Sequence, residues 1–157
     1  MKRVLAVVIS LMMCQFAFAQ ATITVTVSVA ESIGVSVDTA TWAIGAVTIG
    51  GSASAPFTVV ATNDGNVAED FSIEADGVPT NGWNIGAAAG ADTFAVQVTP
   101  PVIAAFQLTD TATLFADEVP FSGTDTASFD LSYTPPTSDT IGAGSHDFSI
   151  VVTASAD

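Results

Sequence analysis

The sequence predicts an all-β fold, an antiparallel β-sandwich of about seven to nine strands. Three observations carry that expectation. Short runs rich in Thr, Val, Ser, Ala and Phe alternate apolar and polar residues. Clusters of Asn, Asp, Gly and Pro separate the runs. No long stretch shows the apolar spacing of a helix face.

Taken in order, residues 1–19 have the form of a secretory signal peptide. Lys2 and Arg3 make a positive start, Val4 to Met13 a short apolar run, and Ala17-Phe18-Ala19 a small-x-small cleavage site. The apolar run is too short for a membrane span, and no second candidate follows. Lipoprotein processing at Cys14 wants a small residue before it, and Met13 is not small. Residues 20–157 are then expected to form one domain with a proper core.

The segment ATITVTVSVA, residues 21–30, alternates hydroxyl and branched apolar side chains, and a strand is predicted over Thr22 to Val29. Segments around Val35 and Val47 are shorter candidates. PFTVVATN puts Phe57, Val59 and Ala61 on one face. EDFSIEAD turns Phe71, Ile73 and Ala75 inward and Asp70, Ser72, Glu74 and Asp76 outward. DTFAVQVT does the same with Phe94, Val96 and Val98. PPVIAAFQL is a helical turn or a strand, and ATLFA a short strand. ASFDLSYT offers Phe129, Leu131 and Tyr133. HDFSIVVT offers Phe148, Ile150 and Val152. Each inward Phe is worth roughly 2–3 kcal/mol when buried.

Turns fit the same frame. Asn63-Asp64-Gly65-Asn66 separates two alternating runs, and Asp-Gly suggests a tight hairpin with positive φ. DTFAVQVTPP and TASFDLSYTPP echo one another, each a strand opened by Phe and stopped by Thr-Pro-Pro. Proline cannot donate to a ladder, so both pairs end their strands. TWAIG and GWNIG form a second echo, and Trp42 and Trp83 are expected at the core or its rim.

Charge excludes several function classes. The chain carries 16 acidic residues against 2 cationic ones, a formal charge of -14. Loss of Lys2 and Arg3 with the leader would leave no cation of the lysine or arginine type. Nucleic acid and anionic lipid are repelled. Carboxylates must then be met by water, hydroxyls, backbone N–H groups or bound cations. With Cys14 also gone, no disulfide is available.

The stretch TWAIGAVTIGGSASAPFTVVATNDGNVAEDFSI, residues 41–73, resembles immunoglobulin-like modules of the abnormal-spindle/hydin type, common in bacterial secreted and surface proteins. The residues that carry the likeness are Trp42, Gly45, Val47, Gly50, the strand from Phe57 to Thr62, and Asn63-Asp64-Gly65. The resemblance implies an Ig-like sandwich that serves as a scaffold for protein contacts. It transfers no ligand residue. A weaker likeness, resting on residues 21–30 alone, is to bacterial fibre subunits that exchange strands.

Catalytic inventory is thin. His146, the one histidine, sits beside Ser145 in an expected turn before the last strand and reads as a surface residue. One histidine cannot build a histidine-rich zinc site. Glu69/Asp70 and Asp117/Glu118 are adjacent pairs, which on a strand point to opposite faces and make poor acid–base partners. Calcium is the best ligand expectation, because hard cations gather oxygen ligands. Asn63, Asp64, Asn66, Glu69 and Asp70 cluster around one turn. Asp110, Asp117, Glu118 and Asp125 cluster later in the chain. No cofactor is required.

Two functions follow as expectations. The first is a non-enzymatic secreted subunit of a fibre, coat or matrix, at the cell surface or outside it, with the periplasm as another address. It would self-associate or pair with another surface protein through β-strand addition, with Ile23, Val25, Val27 and Val29 filling alternate pockets. The second is a monomeric binding module or adhesin for glycan or protein, with or without calcium. Residues 21–30 serve either as strand A of their own sandwich or as a strand given to a neighbour.

Overall fold

The computed structural model describes residues 24–76, 82–123 and 125–156. The expected signal peptide, Thr22 and Ile23 lie outside them. The chain divides into two compact units, Met1–Ala30 and Glu31–Asp157. In the first, residues 24–30 enter no strand, and Val25, Val27 and Val29 are 77%, 82% and 80% exposed.

The second unit is all-β. Its strands are β1 (Val35–Val37), β2 (Phe57–Asn63), β3 (Glu69–Asp76), β4 (Asn84–Ile85), β5 (Thr93–Thr99), β6 (Phe106–Gln107), β7 (Thr113–Val119), β8 (Thr126–Thr134) and β9 (Ser149–Ala156). They form two sheets. One runs β1-β2-β8-β5-β4, with β6 also on β5; the other runs β7-β3-β9. All pairs are antiparallel except β4 with β5, a two-residue parallel contact of Asn84 with Thr93 and Ile85 with Phe94.

Period-2 alternation places the core between the sheets. Val59 and Ala61 of β2, Phe129 and Leu131 of β8, and Val96 and Val98 of β5 are buried on one side. Phe71, Ile73 and Ala75 of β3 and Phe115 of β7 meet them from the other. Phe115 links the layers, with its ring 4.7 Å from Phe129 and 6.1 Å from Phe71. The echoing strands β5 and β8 are direct neighbours, with Ala95 opposite Thr134 and Thr99 opposite Asp130. Both end at the threonine before their proline pair, where the ladder loses its donors.

Several expectations change. Residues around Val47 form no strand; Ile49 and Gly50 make a turn. PPVIAAFQL yields only the two residues of β6. The last strand starts at Ser149, one residue after the half-buried Phe148. Asn63-Asp64-Gly65-Asn66 is no hairpin, because β2 and β3 belong to different sheets. It is a corner between layers, and neither Asp64 nor Gly65 has positive φ.

The corner is built around two buried polar side chains, Asn63 and Glu69. Asn63 Nδ2 donates to the carbonyls of Val67 and Val119, both at 2.9 Å, and its Oδ1 accepts from Gly65 N–H at 2.8 Å. Glu69 Oε1 accepts from Gly34 N–H at 2.9 Å, tying the chain before β1 to the start of β3. Asn66 Oδ1 accepts from Ser32 N–H at 2.8 Å, and the Asn66 N–H donates back to the Ser32 carbonyl at 3.0 Å. Gly65 is required for space: a Cβ there would collide with Glu69 Oε1 and the Ser32 carbonyl.

Asp117 and Glu118 do not straddle their strand. Between the pairs Glu69↔Val119 and Phe71↔Ala116, β7 carries an extra residue. This bulge leaves Asp117 and Glu118 both exposed, with Glu118 at φ 51°. Asp70 Oδ1 holds it by accepting from the Glu118 N–H at 3.0 Å.

Gly65→Ala is expected to destabilise the domain by about 1–3 kcal/mol through overpacking at the corner. Urea denaturation reads this as a lower midpoint at unchanged slope. Glu118→Gly is expected to stabilise it by about 0.5–1 kcal/mol by relieving the left-handed backbone.

Candidate functional site

The inner face of the domain is not closed along one side. A cleft of about 920 Å³ opens between the β1–β2–β8 side of one sheet and β9 of the other. Val59, Phe129, Leu131 and Tyr133 form its floor. The segment from Thr39 to Val47 forms one wall; residues 142–148 and β9 form the other.

Both walls are aromatic at their bases. Trp42 stacks on Phe57, with ring centroids 5.5 Å apart and planes 12° apart. On the opposite side, the His146 ring lies over Trp83 at 3.9 Å and 3°. His146 is therefore half-buried against an indole and not the surface residue expected from its turn. Its Nδ1 is buried without a hydrogen-bond partner. Trp83 Nε1 donates to Asp139 Oδ1 at 3.3 Å. The same oxygen accepts from the N–H groups of Ile141 and Gly142 at 2.9 and 3.1 Å. Those two backbone donors, then Trp83 and the nearby His146, hold the Asp139 carboxyl below the usual carboxylate range.

Tyr133 on the floor is buried. Burial pushes its phenol up to about 12. Phe94 packs 5.3 Å from its ring and 4.8 Å from that of Phe148.

The inward residues of β9 are covered less well than their neighbours. Ile73 and Ala75 of β3 are buried, whereas Ile150 and Val152, paired across from Ala75 and Ile73, are only half-buried. The shortfall lies on the cleft side. Nothing in the sequence signals it, because half-filled and filled strands share one alternation.

The five expected calcium ligands are placed as follows. Asn63, Asn66, Glu69 and Asp70 each turn an oxygen to a backbone N–H of the corner or of β7. Asp64 is exposed. Glu69 Oε2 is buried without a partner. Among the described residues, no three histidine, cysteine or acidic side chains come together as a metal-holding group. Of the donor-strand candidates, Ile23 lies outside the described residues, and Val25, Val27 and Val29 are exposed.

Compared with known proteins, the chain matches no family model and no curated protein.

Tyr133 generates a clean alkaline test. The unfolded chain ionises its phenol at the ordinary value near 10, the folded one only at about 12. Across that window the unfolded state binds fewer protons, so stability falls as pH rises. Tyr133 is the single tyrosine. Tyr133→Phe is expected to flatten the decline, measured as melting temperature from pH 9 to 12.

Proposed function

We propose that this is a non-enzymatic structural subunit, exported from the cell, that assembles with copies of itself by β-strand pairing. The carrying observation is the uncharged alternating segment 21–30. Its described part, Thr24 to Val29, stands outside every strand with three valines bare. Three branched apolar side chains at every second position, left in water, form a surface that strand pairing would cover. The resemblance of residues 41–73 to Ig-like modules supports the same reading, because such modules act as scaffolds. The alternative, a monomeric adhesin, would draw on the same cleft. There Trp83 is already faced by His146 and buried, which leaves it no open stacking surface for a sugar.

Charge sets the conditions. The 16 acidic residues make copies repel, and salt screens that repulsion beyond about 8–10 Å at physiological strength. Assembly is therefore expected to rise with sodium chloride. Sedimentation velocity and electron microscopy at tens of micromolar protein should show oligomers or filaments. Deleting residues 21–30, or introducing Val25→Asp with Val27→Asp, should leave folded monomers with unchanged circular dichroism. A wild-type chain that stays monomeric at high concentration and high salt, with and without calcium, would overturn the proposal.

A further inference from the structure

The geometry points to the acceptor: the outer edge of β9, with the cleft beside it, receives residues Thr22–Val29 of a second copy. This rests on the assembly reading above and adds the place where the strand goes.

A comparison of edges selects β9. β1 has three residues, and β4 and β6 two each, too short to template a long partner. The edge of β7 is bulged at Asp117-Glu118 and carries those charges. Bulges, charges and short strands are the ordinary guards against edge pairing. β9 has none of them. It is eight residues long, SIVVTASA, without charge or proline. It pairs with β3 in unbroken register from Ser149↔Asp76 to Ala156↔Glu69. Among the described residues its other side has no strand partner.

The cleft supplies what a bare edge lacks. An added strand on β9 would continue the β7-β3-β9 sheet. Its inward side chains would then lie over the cleft, above Phe57, Val59 and Leu131. The half-covered Ile150 and Val152 would gain a neighbour on the open side. An occupant must be apolar on one face, tolerant of water on the other, and about eight residues long.

The chain contains that occupant. Thr22 to Val29 is also eight residues, with Ile23, Val25, Val27 and Val29 on one face and Thr22, Thr24, Thr26 and Ser28 on the other. Each run spans about 26 Å as a strand. Neither carries a charge, so the joint brings no carboxylate of either run against another. In a molecule this acidic, that neutrality makes a close contact between copies affordable.

Engineered cysteines test this directly. With the apolar faces matched, Thr26 lies opposite Thr153 both in the parallel register that sets Thr22 beside Ser149 and in the antiparallel register that sets Ile23 beside Ala156. Paired strands bring opposite Cα atoms to about 4.5–5.5 Å, within disulfide reach. Chains with Cys14→Ser and either Thr26→Cys or Thr153→Cys are mixed and oxidised in assembling conditions. The expected result is a linked dimer of one chain of each kind. Its yield should exceed that of Thr26→Cys with Leu114→Cys on β7 by on the order of tenfold. Assembly with equal linking to β7, or none to β9, would overturn the acceptor and leave the assembly reading standing. Absence of assembly in the wild type would overturn both. A chain carrying Thr26→Cys and Thr153→Cys that closes an internal disulfide as a dilute monomer would show the segment filling its own cleft, which also overturns the proposal.

Discussion

The structure depends on how carboxylates are satisfied in a chain with no lysine or arginine after Arg3. Among the described residues there is no lysine or arginine, and backbone N–H groups meet carboxylates there. Asp38 accepts from Val60 N–H at 2.9 Å, clipping the end of β1 to β2. Asp92 accepts from the N–H and hydroxyl of Thr140, both at 2.6 Å, across 48 residues of chain. Glu69, Asp70 and Asp139 act in the same way at the corner, the bulge and the Trp83 loop. Hydrogen bonds to charged groups are stronger than those between neutral groups, and a backbone donor brings no long side chain to be ordered. They also place acid where it fixes backbone, which serves a loop-rich sandwich better than pairing side chains across its surface.

Much of this fold was legible because alternation is local. Phe71, Ile73, Phe94, Val96, Phe129 and Leu131 were readable as inward residues one strand at a time. The Thr-Pro-Pro stops were readable because proline's missing donor needs no tertiary context. Sheet membership was not legible. Asn63-Asp64-Gly65-Asn66 has hairpin chemistry, yet its two strands lie in opposite layers, and the bond from Gly34 to Glu69 at this corner spans residues far apart in sequence. The short strands β1, β4 and β6 carry too few residues to show a period.

The candidate site divides in the same way. The proposed donor face, Ile23 to Val29, was visible as pattern. The cleft was not, because it lies between β9 of one sheet and strands of the other, and alternation within a strand does not report what faces it. His146 illustrates the point at one residue. Its sequence neighbours Ser145 and Asp147 suggest a solvated turn, and only the approach of Trp83, more than sixty positions earlier, gives it a partner. The adjacent acids Asp117 and Glu118 were misjudged for a related reason: a single inserted residue reverses facing, and its cause sits on β3.

The four residues Glu31 to Gly34 between the alternating segment and β1 have a mechanical meaning. Ser32 and Gly34 are both fastened to the corner, Ser32 by two hydrogen bonds with Asn66 and Gly34 by Glu69 and by the Asp64 N–H, which donates to its carbonyl at 2.8 Å. In a row of copies joined through that segment, tension would enter each subunit at this point. It would pull β1 along its own length, loading its hydrogen bonds with β2 together instead of one after another. Strands loaded in shear resist force far better than strands peeled from an end. In such an assembly the buried corner, with its glutamate and asparagine, would be the anchor that carries the load.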